Sequence, residues 1–107
     1  SCRFAYQIHQ YAGCVDGVNM KLMKCGGITG ALEIINVARS YRLQTMIGCM
    51  SESSVSIAAA ASLTSFIDYV DLDSHYNLAP DVASGASLVN GVTMPSNRPG
   101  HGAVLAD

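Results

Sequence analysis

Between Gly17 and Leu72 the spacing of apolar residues switches repeatedly between two periods, and this order constrains the fold more than any other feature of the chain. Gly17-Val18-Asn19-Met20-Lys21-Leu22 alternates apolar and polar residues, the period of a strand. Gly26-Gly27 breaks the chain. Thr29 can then cap a helix that carries Ile28, Ala31, Leu32, Ile35 and Ala38 at helical spacing and runs to about Tyr41. Leu43 to Gly48 is a second strand. Met50 to Ser54 is a polar loop with good capping residues at its end, and Val55 to about Ser65 is an alanine-rich helix suited to close packing. Ile67 to Leu72 is a third strand. Strand, helix, strand, helix, strand predicts an α/β fold with a parallel sheet and right-handed crossovers.

The flanks read differently. Phe4 to Tyr11 is a short helix ending near Gly13. After Asp73 the chain is punctuated by Gly85, Gly91, Pro95, Pro99, Gly100 and Gly102. Two short apolar runs, Ser87-Leu88-Val89 and Val92-Thr93-Met94, flank Asn90-Gly91, a strong hairpin signal. The chain thus divides into an α/β part, residues 1–80, and a tail with short strands, residues 81–107.

Half of the 107 residues are hydrophobic and 13% are charged. Such an excess suggests a buried parallel sheet, or a face that packs against further chain. The net charge of -2 gives no electrostatic case for nucleic acid or an anionic membrane. No apolar run is long enough to span a bilayer. Ser1-Cys2-Arg3-Phe4 does not resemble a secretory signal, and the absence of an initiator Met fits a chain that begins inside a longer protein. Cys2, Cys14, Cys25 and Cys49 include no Cys-x-x-Cys pair. Zinc is not expected; free, mostly buried thiols in a reducing compartment, by default the cytoplasm, are.

Alternate strand residues face opposite sides. Val18, Met20 and Leu22 share one face of the first strand, with Asn19 and Lys21 on the other. Val70 and Leu72 share one face of the third, with Tyr69, Asp71 and Asp73 on the other. If the apolar faces meet the helices, Lys21, Asp71 and Asp73 lie together at the C-terminal ends of the strands, beside Cys49 to Glu52. Ligands collect at that end of parallel sheets. A lone lysine or an Asp-x-Asp pair is otherwise an ordinary solvated loop start, and both readings stand at this point. Gly26-Gly27 reads as a tight turn in preference to an anion cradle. His9, His75 and His101 read as surface or loop residues, His75 being the least easily set aside because it follows Asp73 closely.

These segments carry a family resemblance that covers roughly Asp16 to Val104. Val18-Asn19-Met20-Lys21-Leu22-Met23-Lys24-Cys25-Gly26-Gly27-Ile28 resembles the sixth-strand signature of the muconate-lactonizing subgroup of the enolase superfamily. Gly48-Cys49-Met50-Ser51-Glu52-Ser53 resembles the seventh-strand motif. Asp71-Leu72-Asp73 resembles the eighth-strand motif of the dipeptide epimerases. Pro95 with Pro99-Gly100-His101-Gly102 resembles the family's Pro-Gly-Leu-Gly end. Ser51 stands where the family usually has an aliphatic residue, His101 replaces the usual Leu, and Ser74 to Gly85 follows the pattern loosely.

The resemblance implies the C-terminal portion of a (β/α)8 TIM-type barrel, about three βα units comprising strands six to eight, followed by a short β-hairpin tail. It implies an isomerase that abstracts a proton next to a carboxylate or carboxamide, with Mg2+ stabilising the enediolate. In such epimerases two lysines face each other across the substrate α-carbon, and by resemblance Lys21 is the sixth-strand one. An amine base at neutral pH needs desolvation or nearby positive charge to lower its pKa. Asp71 and Asp73 would hold the dipeptide ammonium. Cys49, Met50 and Ser51 would line the pocket and Glu52 would support it. Lys24, of opposite parity, is expected to be a loop residue.

Other expected parts are not here. The second-strand Lys-x-Lys is missing, because Lys21 and Lys24 are three apart. The family's three metal-binding carboxylates come from strands three to five, so no metal ligand is assigned in this chain. Ser1 can be the serine of the fifth-strand Asp-Glu-Ser. A full barrel needs about 250 residues. The expected partners are a dipeptide, such as L-Ala-D/L-Glu, the rest of the barrel and its capping domain; a homo-oligomer stays open. The chain alone is expected to be inactive and poorly soluble. N-acylamino-acid racemase, o-succinylbenzoate synthase and muconate cycloisomerase are competing activities, disfavoured by Asp71 and Asp73 because their substrates lack the ammonium. A non-catalytic half-barrel binding module is the competing non-enzyme reading.

Overall fold

The structure is a computed structural model describing residues 1–107. A single-turn 3-10 segment, Ala5–Gln7, leads into α1 (Ile8–Tyr11). There follow β1 (Gly17–Lys21), α2 (Leu22–Cys25), α3 (Gly27–Ser40), β2 (Gln44–Gly48), α4 (Ser54–Ala61) and β3 (Tyr69–Val70). Two 3-10 segments, Thr64–Phe66 and Ser74–Asn77, flank β3. The tail holds β4 (Ala83–Ser84), β5 (Ser87–Val89), β6 (Val92–Met94) and β7 (Val104–Leu105).

The first three strands form one parallel sheet in the order β1-β2-β3, as the alternation of periods requires. Its register pairs Val18 with Thr45, Met20 with Ile47 and Lys21 with Gly48, then Met46 with Tyr69 and Ile47 with Val70. The sheet also reaches past β1. Cys2 forms a parallel bridge with Met20, and its amide donates to the Asn19 carbonyl at 2.7 Å. In the tail, β5 and β6 form the expected hairpin, with Asn90 at φ 49° and Gly91 at φ 79°, the double positive φ that a two-residue turn demands. The antiparallel pairing of β4 with β7 was not anticipated.

The core lies between sheet and helices. Met20 and Ile47, neighbours on adjacent strands, are wholly buried against Ile34, Ile35 and Ala38 of α3 and Ile57, Ala58 and Ala61 of α4. Helix α3 sits on the sheet rotated from the expected stripe: Ala31, Ile34, Ile35 and Ala38 are buried, while Ile28 and Leu32 are each 38% exposed. At about 100° per residue Ile34 and Leu32 lie on opposite flanks of Ile35, and only one flank can meet the sheet. The helix starts earlier than Thr29. Gly26 and Gly27, both at positive φ, make the tight turn from α2 into α3. Gly30 is required for a different reason, because a Cβ there would lie 1.7 Å from the Cys25 carbonyl oxygen.

Other sequence expectations shift. Leu22 opens α2 instead of ending β1, and α4 stops at Ala61, short of Ser65. Strand β3 has two residues, although Asp68 N–H donates to the Thr45 carbonyl and Asp71 N–H to the Ile47 carbonyl on either side of it, at 3.1 and 2.9 Å. Val70, on the helix-facing side, is 48% exposed because it stands at the sheet edge beyond the cover of α3 and α4. The four cysteines are free, but Cys25 alone is buried; Cys2 and Cys49 are half-buried and Cys14 is exposed. No helix is long and apolar enough to cross a membrane.

Candidate functional site

The parallel register fixes which side chains share the interior face. Neighbours paired across parallel strands point the same way, so Asn19 shares a layer with Met46 and Tyr69, and Lys21 shares the next with Gly48. Asp71 follows β3 at the level of Gly48. Strands lie about 4.8 Å apart, so Lys21 and Asp71 stand about 10 Å apart at backbone level with the glycine between them. The slot is real: a Cβ placed on Gly48 would meet Asn19 Oδ1 at 3.4 Å and Lys21 Cε at 3.6 Å. The opposite face carries Met20 and Ile47 into the core, which is why parity sends the lysine the other way.

Above the strand ends the loop from Cys49 closes over this layer. Lys21 Nζ reaches Met50 Sδ at 3.8 Å, and Cys49 Sγ lies 3.8 Å from Asp73 Oδ1. Asp71 and Asp73, both exposed, line a cleft of about 490 Å3 at the β3 edge with Val70, Tyr76, Leu88 and Thr93; Lys21, Cys49, Met50 and Ser51 do not line it. The tail supplies that far wall, where Tyr76 Oη and Thr93 Oγ1 are 2.8 Å apart. Ser51 is exposed on the loop and Lys24 lies within α2.

Glu52 sits beneath the loop, 5% exposed, and does not open onto the cleft. One carboxylate oxygen accepts from the Met50 amide and the other from the Ser56 hydroxyl. Its own amide donates to Ser74 Oγ at 3.1 Å, and that hydroxyl donates to the Glu52 carbonyl at 3.3 Å. Glu52 therefore fixes the Met50 loop to the segment just after Asp73, joining the two ends of the rim.

Two further carboxylates hold the scaffold, and neither carried a motif that marked it in the sequence. Asp68 accepts from the Thr45 amide at 2.8 Å and the Thr45 hydroxyl at 3.1 Å, pinning the entry of β3 to β2. These bonds hold Asp68 below the usual carboxylate range, with a smaller contribution from Arg39. Asp81 accepts from the Ser54 hydroxyl and amide, and the Ser54 hydroxyl is the main cause of its lowered pKa. Burial pushes the Cys2 and Cys25 thiols up, so neither is an activated nucleophile. His75 is not the loop residue expected: it is 7% exposed, packs at a tilt against the Tyr76 ring and pairs Nε2 with the Ala86 carbonyl at 3.2 Å. His9 is exposed on α1, and His101 Nδ1 accepts from the Ala103 amide.

No three His, Cys, Asp or Glu side chains come together in a way that could hold a metal ion. Asp71 and Asp73 bring two carboxylates, with the Cys49 thiol beside them in place of the further oxygen ligands that Mg2+ demands. These residues do not fit a resident magnesium.

Residues 3–107 match the model of the enolase C-terminal domain-like family. A hydrophobic dipeptide epimerase of Flavobacteria bacterium (strain MS024-2A) is 68% identical over 107 residues, which are 100% of this chain and 31% of that protein. A hydrophobic dipeptide epimerase of Roseobacter litoralis is 60% identical over 99% of this chain and 31% of its own length. Among solved structures, the dipeptide epimerase of Methylococcus capsulatus complexed with Mg and the dipeptide L-Arg-D-Lys superposes with a TM-score of 0.85 at 37% identity. That match covers 96% of this chain and 31% of the other. The chain thus spans about a third of the length of the curated relatives it matches. A three-stranded parallel sheet with Lys21 and the Asp71/Asp73 pair on one rim, matched over nearly its whole length by that family model, makes this chain a member of the enolase C-terminal domain-like family, as its C-terminal barrel portion.

Proposed function

We propose that this chain is the Lys21-bearing part of a dipeptide epimerase, an isomerase that moves a proton on and off the α-carbon of one residue of a dipeptide. The observation that carries the reading is the shared rim: Lys21 and the Asp71/Asp73 pair face one interior across Gly48, which has no side chain to fill the space. Lys21 acts as acid and base on one face of the α-carbon. A second lysine, from barrel strands outside these residues, serves the other face. Asp71 and Asp73 hold the dipeptide ammonium, so the α-carbon is presented to Lys21 at a fixed distance. Cys49, Met50 and Ser51 border the substrate, and Glu52 keeps their loop in place.

The substrate class follows from two supports. The aspartates require a free ammonium, which disfavours N-acylated or non-amino substrates. The two relatives above are named for hydrophobic dipeptides, and Met50 beside Lys21 gives the rim an apolar wall. A hydrophobic dipeptide is therefore preferred over L-Ala-D/L-Glu. Magnesium, present in the Methylococcus capsulatus complex, is assigned to carboxylates outside these residues. The four free thiols support a reducing compartment such as the cytoplasm. The test is epimerisation of a panel of hydrophobic, acidic and N-acylated dipeptides by the complete barrel. Turnover confined to N-acylated substrates would remove the role given to Asp71 and Asp73.

A further inference from the structure

Two complementary side chains border Gly48, one with an unpaired acceptor and one with only a weak partner. Asn19 Oδ1 is buried and accepts no hydrogen bond within the chain. A buried amide oxygen in that state is destabilising, so such groups are nearly always paired in a finished structure. The Lys21 ammonium carries three N–H donors, and the one protein partner it finds here is the Met50 sulfur at 3.8 Å, a weak acceptor. Asn19 and Lys21 are two residues apart on β1 and share its interior face. Both side chains border Gly48: Asn19 Oδ1 and Lys21 Cε lie 3.4 and 3.6 Å from the position a Cβ would take there, so both flank the same point on β2.

From this we infer that Asn19 is a positioning residue for Lys21: its amide oxygen takes one ammonium hydrogen and holds Nζ over the Gly48 slot, against the substrate side of the rim. An amide oxygen suits the task. It accepts from the ammonium but, being neutral, can neither take the proton away nor form an ion pair that ties the lysine up. The contact requires the Lys21 side chain to turn from the Met50 sulfur toward this oxygen.

The consequence for catalysis rests on the assignment of Lys21 as acid and base; the contact itself does not. Two measurements keep them apart. A crystal structure of the complete barrel without substrate reads the contact: Asn19 Oδ1 to Lys21 Nζ at about 2.7–3.2 Å is expected. Asn19 Oδ1 bonded to some other donor, with Nζ out of reach, overturns the inference even if the enzyme is a dipeptide epimerase. The second measurement follows exchange of the substrate α-hydrogen with D2O, started separately from each epimer. Asn19→Leu should slow exchange from the epimer that Lys21 serves by at least about tenfold and leave the other unchanged. Asn19→Asp, which keeps an acceptor oxygen but adds a charge that pairs with the lysine, should restore the Nζ contact while exchange from that epimer stays slow. Asn19→Ala, which removes the amide without adding bulk, should give the same one-sided loss and serves if the leucine variant does not fold. Equal slowing of both epimers would mark a merely structural role and overturn the inference. A wild-type barrel that exchanges no dipeptide would refute the proposed function, and the Oδ1–Nζ distance would still decide the role of Asn19.

Discussion

Asp81 caps helix α4 from outside it, one carboxylate oxygen accepting from both the Ser54 amide, at 3.0 Å, and the Ser54 hydroxyl, at 2.7 Å. This one contact ties the tail to the helix that follows β2. The Ser54 hydroxyl, chiefly, holds the folded pKa of Asp81 below its ordinary value of 3.8. A depressed carboxylate contributes stability that is complete above the unfolded pKa and is lost as pH falls through that value toward the folded one. Asp81→Asn should therefore lower the urea midpoint of the complete barrel near neutral pH, and the difference from wild type should shrink as pH drops below about 4. A gap that widens on acidification would show that the charge on Asp81 opposes folding.

Gly30 gives a prediction in which two rules disagree in sign. Helix propensity alone says that Gly30→Ala within α3 should stabilise by about 1 kcal/mol. The 1.7 Å approach of its Cβ to the Cys25 carbonyl says that it should destabilise, by about 1–3 kcal/mol or more. The close approach wins, because the atom in the way is backbone held by α2. Ile34→Ala, on the buried flank of the same helix, should destabilise by about 2–5 kcal/mol. Chemical denaturation of both variants checks the packing of α3.

How far the sequence speaks is clearest along this helix and the strands beside it. Met20 and Lys21 took their opposite faces from alternation alone, because a strand leaves no other choice. The stripe expected on α3 takes in Ile28 and Leu32 and leaves out Ile34, whereas the helix buries Ile34 and leaves the other two part-exposed; only the seating of the helix decides among them. Leu22 fits either a strand end or a helix start, and Gly26 settles it by closing a turn at φ 85°. The placement of Lys21, Asp71 and Asp73 at the strand ends, on the face away from Met20 and Ile47, was legible through strand parity. Asn19 was placed on the right face but given no role, since a missing donor shows only in three dimensions. Asp68, Asp81 and the buried His75 depend on partners 23, 27 and 11 residues away, and no local pattern announces these.

The Asp71/Asp73 pair should govern which substrates are accepted. Asp71→Ala with Asp73→Ala in the complete barrel should lower kcat/KM for dipeptides by at least about 100-fold, as expected for removing charged partners of an ammonium. Dipeptide turnover that survives both changes would take away the reason for placing the ammonium there.

The 107 residues alone should not epimerise any dipeptide. They hold one lysine on the interior face and leave the β3 edge of the three-stranded parallel sheet uncovered, with Tyr69 and Val70 exposed there. Poor solubility is the expected companion result. Cooperative unfolding of a soluble, inactive chain would favour the half-barrel binding module instead, and sedimentation with thermal melting distinguishes the two.

The most direct test of the central claim is deuterium incorporation at the α-carbon, followed by NMR in D2O, for wild-type and Lys21→Ala forms of the complete barrel. The wild type should exchange the α-hydrogen of both epimers of a hydrophobic dipeptide. Lys21→Ala should lose exchange from one epimer by about 100-fold or more, the scale of a general base, and retain it from the other. Equal exchange from both epimers by the Lys21→Ala variant would contradict the account, because no proton would then pass through Lys21.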